Sequence, residues 1–481
     1  MNGMTEIDYR MKWYVMAAVA MGIFLATIDS SIVNLALPTL VRELHTDFPT
    51  VQWVILGYLL GLTALMLSVG RLADIRGKKQ LYTTGFVVFT IGSVLCGLSP
   101  TIYALIGFRV VQSIGAAMIL ALGSAIVTES FPPEERGRAL GISGTAVSLG
   151  IVIGPTLGGL LIDAFSWRWI FFVNLPVGII GTLMAVRYIP AIKPRGGQRF
   201  DIWGSLTLVA GLLCLLLALT WGQNIGFTDG RIVLLFMGSL LFLIVFLFIE
   251  SHINDPIIDL SLFRSEKFSV GLVTGFITFF VIAGIILLMP FYLENVLGYG
   301  TRQVGLMLAI VPIAMGVIAP IAGSISDRVG TRPITVVGLL ILLLGYVGLS
   351  SLSLETTAWQ YILLFFPIGL GMGVFQSPNN SAIMGSAPQE RLGVVSGMLA
   401  ITRTMGQTMG IALLGALWAS RVSFYEGGML DAGATEVSAL SQVGGLNDTL
   451  QIVVVLIFLA FIIGLWSLIA DRRRSRRAAS I

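Results

Sequence analysis

Charged side chains are scarce in this chain: 25 Asp and Glu and 29 Lys and Arg among 481 residues, 11% of the total. A soluble domain carries about 25%, so too few ionic groups are present to clothe a water-facing surface, and a soluble globular enzyme is excluded. Histidine is limited to His45 and His252, and no Cys, His or carboxylate cluster shows catalytic or metal-ligand spacing. Cys96 and Cys214 each stand inside an apolar stretch and read as small buried hydrophobes, so no disulfide framework or redox chemistry is indicated. The nucleotide-binding pattern GxxxxGK followed by Ser or Thr is missing, which leaves ion gradients as the energy source unless a partner supplies hydrolysis, and no cofactor is indicated. The formal charge of +4 is spread over short segments and forms no basic patch, so nucleic acid is not an expected partner.

What the chain has in abundance is apolar length, with 56% hydrophobic residues. Fourteen runs, from 13 to 36 at one end to 449 to 470 at the other, are long enough for the roughly 30 Å hydrocarbon layer. Two pairs are separated only by 99 to 102 and by 163 to 166, where turn-forming residues divide them. The first run lacks a small-residue cleavage site and reads as a retained span.

With the N-terminus inside, 22 of the 29 basic residues fall in cytoplasmic segments, five fall outside, and Arg109 and Arg403 lie within spans. That bias predicts an even number of spans with both termini cytoplasmic. The longest external connection, from about 420 to 448, holds Glu426, Asp431, Glu436 and Asp448 against Arg421 and is too small for an enzyme domain.

An internal repeat organises the spans. Gly70, Asp74 and Gly77 in GRLADIRGKK recur as Gly323, Asp327 and Gly330 in GSISDRVGTR, at one offset of 253. The same offset relates Ser143 and Gly144 to Ser396 and Gly397, while Glu135 and Arg136 resemble Glu390 and Arg391 at 255. A duplicated six-span bundle with a pair of spans between the copies follows: 1–190, then 191–266, then 267–481. The expected fold class is an all-α polytopic membrane protein of 14 transmembrane helices grouped 6 + 2 + 6. Pseudosymmetric halves that rock about one central site are the physical basis of alternating access.

Polar residues at lipid depth are the candidate site. Asp29 lies roughly 24 Å along the first span at 1.5 Å per residue. A carboxylate there must be neutralised, paired or turned to water, so it reads either as a proton-handling or cargo-contacting group or as a structural salt bridge. Arg109, about 10 Å into the fourth span from the opposite edge, comes to a similar depth, and Gln112 shares its helix face. Glu129 at the inner end of the same span, Arg403 in the thirteenth, and Gln376 and Asn379 in the twelfth are further proton-coupling or substrate-binding candidates. In GIVIGPTLGG, Gly150, Gly154 and Gly158 recur every fourth residue, followed by Gly159, and invite close helix approach, while Pro155 removes a backbone donor.

Taken together, these strings resemble the major facilitator superfamily, and within it the fourteen-span drug:proton antiporter branch. The resemblance covers essentially the whole chain and is carried by GRLADIRGKK, by RVVQSIGAA from Arg109, by GIVIGPTLGG, by IDSSIVNLALP from Ile28 and by WRWIFFVNLPVG from Trp167. It implies proton-driven export in which Asp29 couples protonation to helix movement and Arg109 tunes its charge. It also implies a cytoplasmic latch formed by Gly70, Asp74, Arg76 and Gly77, with Asp327 in the second copy, where Ser324 and Thr331 replace Arg71 and Lys78. The expected function is export of amphipathic, often cationic compounds in exchange for protons by a monomer in a prokaryotic inner membrane, with membrane lipids as partners. Export of a dedicated metabolite, lipid or peptide is the alternative.

Overall fold

The computed structural model describes residues 9–46, 48–191, 200–253, 256–258, 260–427 and 437–479. Lys193, Arg195 and Arg199 of the segment before the seventh span, and Asp431 and Glu436 of the long connection, fall outside these. Every described regular element is helical, as expected of a chain that must satisfy each backbone group internally where water is excluded.

Six long helices come first: α1 Lys12–Glu43, α2 Phe48–Arg76, α3 Lys78–Gly97, α4 Ile102–Ser130, α5 Arg136–Ala164 and α6 Asn174–Tyr188, the last entered through the short turn Trp169–Phe172. The two narrow separations are therefore true breaks. Next come α7 Ile202–Ile225 and α8 Gly230–His252. The remaining long helices are α9 Glu266–Phe291, α10 Ile310–Val329, α11 Thr331–Leu349, α12 Ala358–Gly385, α13 Leu392–Glu426 and α14 Ala439–Ala479. Among the described residues, 13 of these helices are long and apolar enough to cross a membrane. The exception is α13, long enough at 35 residues but carrying Arg403, Gln407 and three threonines through its middle. Its polarity is a feature of a helix that faces protein rather than lipid.

The chain divides into two compact units. The first comprises Met1–Leu215, Leu235–Leu260 and Met384–Ile401; the second comprises Leu216–Leu234, Ser261–Ile383 and Thr402–Ile481. In the first, α4 packs on α2 and α3, α1 on α5, and α6 on α1 and α3. Glycine sets these distances. A Cβ on Gly115 of α4 would lie 2.6 Å from the Gly85 carbonyl oxygen of α3, and one on Gly150 of α5 would lie 3.0 Å from the Ile28 nitrogen of α1. In the second unit α14 packs on α9 and α11. There Arg332 ties three helix ends together, donating to the Ser467 carbonyl at 2.6 Å and pairing with Asp471 at 3.2 Å and Glu266 at 3.6 Å. At the far end of α14, Asp448 holds Arg421 of α13 at 2.5 Å.

The repeat is visible in the backbone. Gly77 and Gly330 adopt φ values of 102° and 101°, a region that favours glycine, and their N–H groups donate at 2.8 Å to Ala73 and Ser326. At the starts of α5 and α13 the correspondence shifts. Pro132 leads into the turn Pro133–Glu135 and Pro388 into Gln389–Arg391, an offset of 256. Glu135 thus matches Arg391 rather than Glu390, and the equivalent small residues are Gly137 with Gly393 and Gly141 with Gly397, in place of the Ser143 with Ser396 pairing that the sequence offered.

Candidate functional site

Asp29 is fully buried midway along α1 and is surrounded by donors from two other helices. Arg109 of α4 places Nη1 at 2.5 Å from Oδ2, while Gln112 Nε2 and Asn174 Nδ2 donate to Oδ1 at 2.9 and 2.8 Å. The same two amides reach Ser93 Oγ of α3 at 2.7 and 2.9 Å, and Arg109 donates further to Gln112 Oε1 at 2.6 Å and the Val54 carbonyl at 3.0 Å. Its guanidinium carbon sits 4.1 Å from the ring centre of Tyr58. One negative and one positive charge therefore cancel inside a shared hydrogen-bond network, the condition under which a buried ion pair is tolerated.

Local sequence explains how these side chains meet. Arg109 and Gln112, three apart, project from one face of α4. Opposite them, a Cβ on Gly92 would lie 2.8 Å from Gln112 Cα, so the bare glycine lets α3 and α4 close until Ser93 reaches the amide. Thr27 and Ser30 return their hydroxyls to the carbonyls of Ile23 and Ala26. Ser31 does not. It donates to the Ile151 carbonyl at 3.2 Å, and Ile151 stands four residues before Pro155, whose missing N–H would have bonded that oxygen. A hydroxyl two residues from Asp29 thus fills the gap that Pro155 opens in α5. Gly154 makes the approach possible, because a Cβ there would lie 2.6 Å from Ser31 Oγ. Gly150, Gly154 and Gly158 are all buried on this face, whereas Pro155 is exposed and Gly159 half-buried.

A second cluster lies about 30 Å away along α4, at the end where Glu129 sits. Lys78 at the start of α3 bridges Glu129 at 2.9 Å and Asp74 at 3.0 Å. Asp74 in turn accepts from the backbone N–H groups of Gly393 at 2.9 Å and Val394 at 3.0 Å, capping the N-terminus of α13. Gly70 and Gly393 permit this contact, since a Cβ on either would lie 2.5 Å from the other's carbonyl oxygen. Asp74 therefore caps α13, and its cation is Lys78. Arg76 stays exposed, while Arg71 in the same string is fully buried. Glu129 accordingly joins Asp74 and not Asp29.

Around Arg71 the connection after α8 is held in place. Glu250 accepts from the N–H groups of Ile257 and Ile258 at 3.1 Å, and Arg391 donates to the Pro256 carbonyl at 3.2 Å. Ser68 and Ser205 join α2 to α7 at 2.6 Å.

In the second unit the polar candidates are dispersed. Asn379 donates to the Gly271 carbonyl at 3.1 Å and so fastens α12 to α9. Gln376 is buried, with no hydrogen-bond partner for Oε1 among the described residues. Arg403 rests over the Phe279 ring at 5.5 Å. Asp327 occupies in α10 the place that Asp74 holds in α2.

Four participants were not singled out from sequence: Ser93, Asn174, Tyr58 and Lys78. Asn174 carried a signal, being an amide within an apolar run. Ser93 carried none, because serine in such a helix ordinarily bonds its own backbone.

A profile described as Major Facilitator Superfamily matches residues 19–411. The riboflavin transporter RibZ of Clostridioides difficile is 34% identical over 86% of this chain and 90% of its own length. The multidrug resistance protein Stp of Mycobacterium tuberculosis is 33% identical over 86% of this chain and 77% of its own. Among solved structures, that of the human organic anion transporter MFSD10 superposes with a TM-score of 0.67 at 15% identity, covering 94% of this chain and 99% of that one, a likeness of fold.

Proposed function

Because the chain belongs to the Major Facilitator Superfamily and is a secondary transporter rather than an enzyme, we propose that it is a proton-coupled exporter of amphipathic compounds. The reading takes its export direction and breadth of cargo from similarity to proteins named for multidrug resistance, Stp among them. It takes its coupling mechanism from one observation: a fully buried Asp29 whose charge is balanced by Arg109.

Protonating Asp29 removes the negative member of that pair. Arg109 is then a buried charge without its counter-ion, a state costing several kcal/mol unless the helices move or an anion or water reaches it. Proton occupancy thereby biases which packing of α1, α4 and α6 is stable. Through Ser31 and the Ile151 carbonyl, movement of α1 is passed to α5. At the end we assign to the cytoplasm, Asp74 on the α13 N-terminus, backed by Lys78 and Glu129, holds one state until helix separation breaks it. Residues 1–190 and 267–481 form the two repeated bundles in this scheme, with 191–266 supplying the extra pair, both termini cytoplasmic and the monomer as the working unit. Gln376 and Arg403 are its candidates for cargo contact.

Proteoliposomes with an imposed proton gradient should accumulate a lipophilic dye only while the gradient lasts; a rate unchanged when an ionophore collapses it would defeat the coupling. A second reading, transport of one dedicated metabolite, is favoured by the similarity to the riboflavin transporter. Competition separates the two, since riboflavin alone would displace bound dye under the second reading and many amphipathic compounds would do so under the first.

A further inference from the structure

Arg403 differs from the other deeply placed charges. Asp29 and Arg109 cancel each other, and Lys78 is shared between Asp74 and Glu129. Arg403 stands eleven residues into α13, roughly 16 Å along it and close to the middle of a 30 Å layer. No carboxylate among the described residues pairs with it, and none of its N–H groups is committed to a hydrogen bond. Of the acids described in the second unit, Glu266 and Asp471 pair with Arg332, and Asp448 pairs with Arg421.

The side chain is not turned toward lipid. Its guanidinium faces Phe279, which is 8% exposed within the helix packing. One turn further along α13, a Cβ on Gly406 would lie 2.9 Å from the Phe276 carbonyl oxygen and 3.1 Å from Phe279 Cβ, so α9 and α13 are clamped together beside the pair. Arg403 itself is half-buried, which leaves part of it accessible. The guanidinium carbon lies over the Phe279 ring at 5.5 Å, and the five donors that radiate in the guanidinium plane suit a carboxylate, sulfonate or phosphate held by two parallel bonds. A net positive charge with uncommitted donors at this depth attracts an anion and repels a cation.

We infer that Arg403, set over the Phe279 ring within the second unit, binds the anionic group of aromatic acids among the compounds exported. The inference rests on the export reading above and gives its cargo a chemical class. Ring and charge are recognised together: the cargo's aromatic ring packs beside Phe279 while its acidic group takes the in-plane donors.

Three naphthalene probes share a ring and differ in charge: 1-naphthalenesulfonate, 1-naphthalenesulfonamide and 1-naphthyltrimethylammonium. Binding to the purified full chain, followed by naphthalene fluorescence, should favour the sulfonate over the sulfonamide by about tenfold or more, the factor a charge-assisted hydrogen bond supports. Arg403→Gln should erase that preference while the ammonium binds at least as tightly, a like charge being gone; Arg403→Lys should keep part of it. Equal wild-type affinities for sulfonate and sulfonamide would overturn the inference without needing a variant, as would an Arg403→Gln protein that weakens all three probes alike. Should Arg403→Gln fail to fold, the wild-type preference and its partial retention in Arg403→Lys decide the matter. Gradient-driven uptake of the same probes judges the export reading separately: a sulfonate that binds through Arg403 but, like the other two, never moves would defeat export and leave the anion site standing.

Discussion

Asp29 and Arg109 each depend on the other for a counter-charge, and that dependence is measurable. Asp29→Asn leaves Arg109 charged, buried and held only by amides and carbonyls, and Arg109→Gln leaves the carboxylate in the same position; each should lower stability by about 3–5 kcal/mol. The double variant removes both charges and should regain most of the loss, visible as a thermal midpoint above that of either single variant. A double variant no more stable than the singles would show that the pair is not coupled. The pair was legible in the sequence because ionisable residues at lipid depth are so few that any two at similar depth draw attention. Its surroundings were not. Ser93 and Tyr58 become recognisable only once α3 and α2 are seen against α4, since nothing in their spacing separates them from ordinary helix residues.

At the scale of the helix, Pro155 and Ser31 make one unit across α1 and α5. Ser31→Ala strands the Ile151 carbonyl and should cost about 1 kcal/mol, the net worth of one intramolecular hydrogen bond. Adding Pro155→Ala gives that carbonyl an N–H from its own helix, so the double variant should be more stable than Ser31→Ala alone; simple additivity in the unfolding midpoints would contradict the link. Asp74 offers a second test. Asp74→Ala removes the acceptor for Gly393 and Val394, and amide exchange at those two positions should quicken while the rest of α13 is unaltered. Uniform exchange along α13 would argue against the cap. Sequence periodicity revealed the glycines and the proline but not their partners, because the hydroxyl that repairs Pro155 comes from a helix more than a hundred residues earlier. The loop string was similarly half legible. Its glycine and aspartate were recognised, yet Lys78 and the buried Arg71 turn out to be its structural cations while Arg76 lies exposed.

For the molecule as a whole, composition alone specified a helical membrane protein, since a chain this poor in charge has no soluble alternative. The glycine turn of the repeat recurs in the matching φ values of Gly77 and Gly330, while the helices beginning at Arg136 and Leu392 align by 256 and not by the 253 that holds two loops earlier. Loop length between helices drifts without cost, whereas a glycine-dependent turn cannot. What sequence could not supply was the division of labour between the acidic residues. Depth along a helix distinguishes Asp29 from Glu129 only when their partners are known, and those partners place one in a neutral core and the other on the N-terminus of α13 through Asp74 and Lys78. The central claim is that Asp29 carries the coupling proton. Transport by wild type and by an Asp29→Asn protein of equal abundance in proteoliposomes, measured both as dye exchange without a gradient and as uphill accumulation with one, tests it most directly. The account predicts that Asp29→Asn retains exchange and loses accumulation; accumulation at the wild-type level in that variant would contradict it.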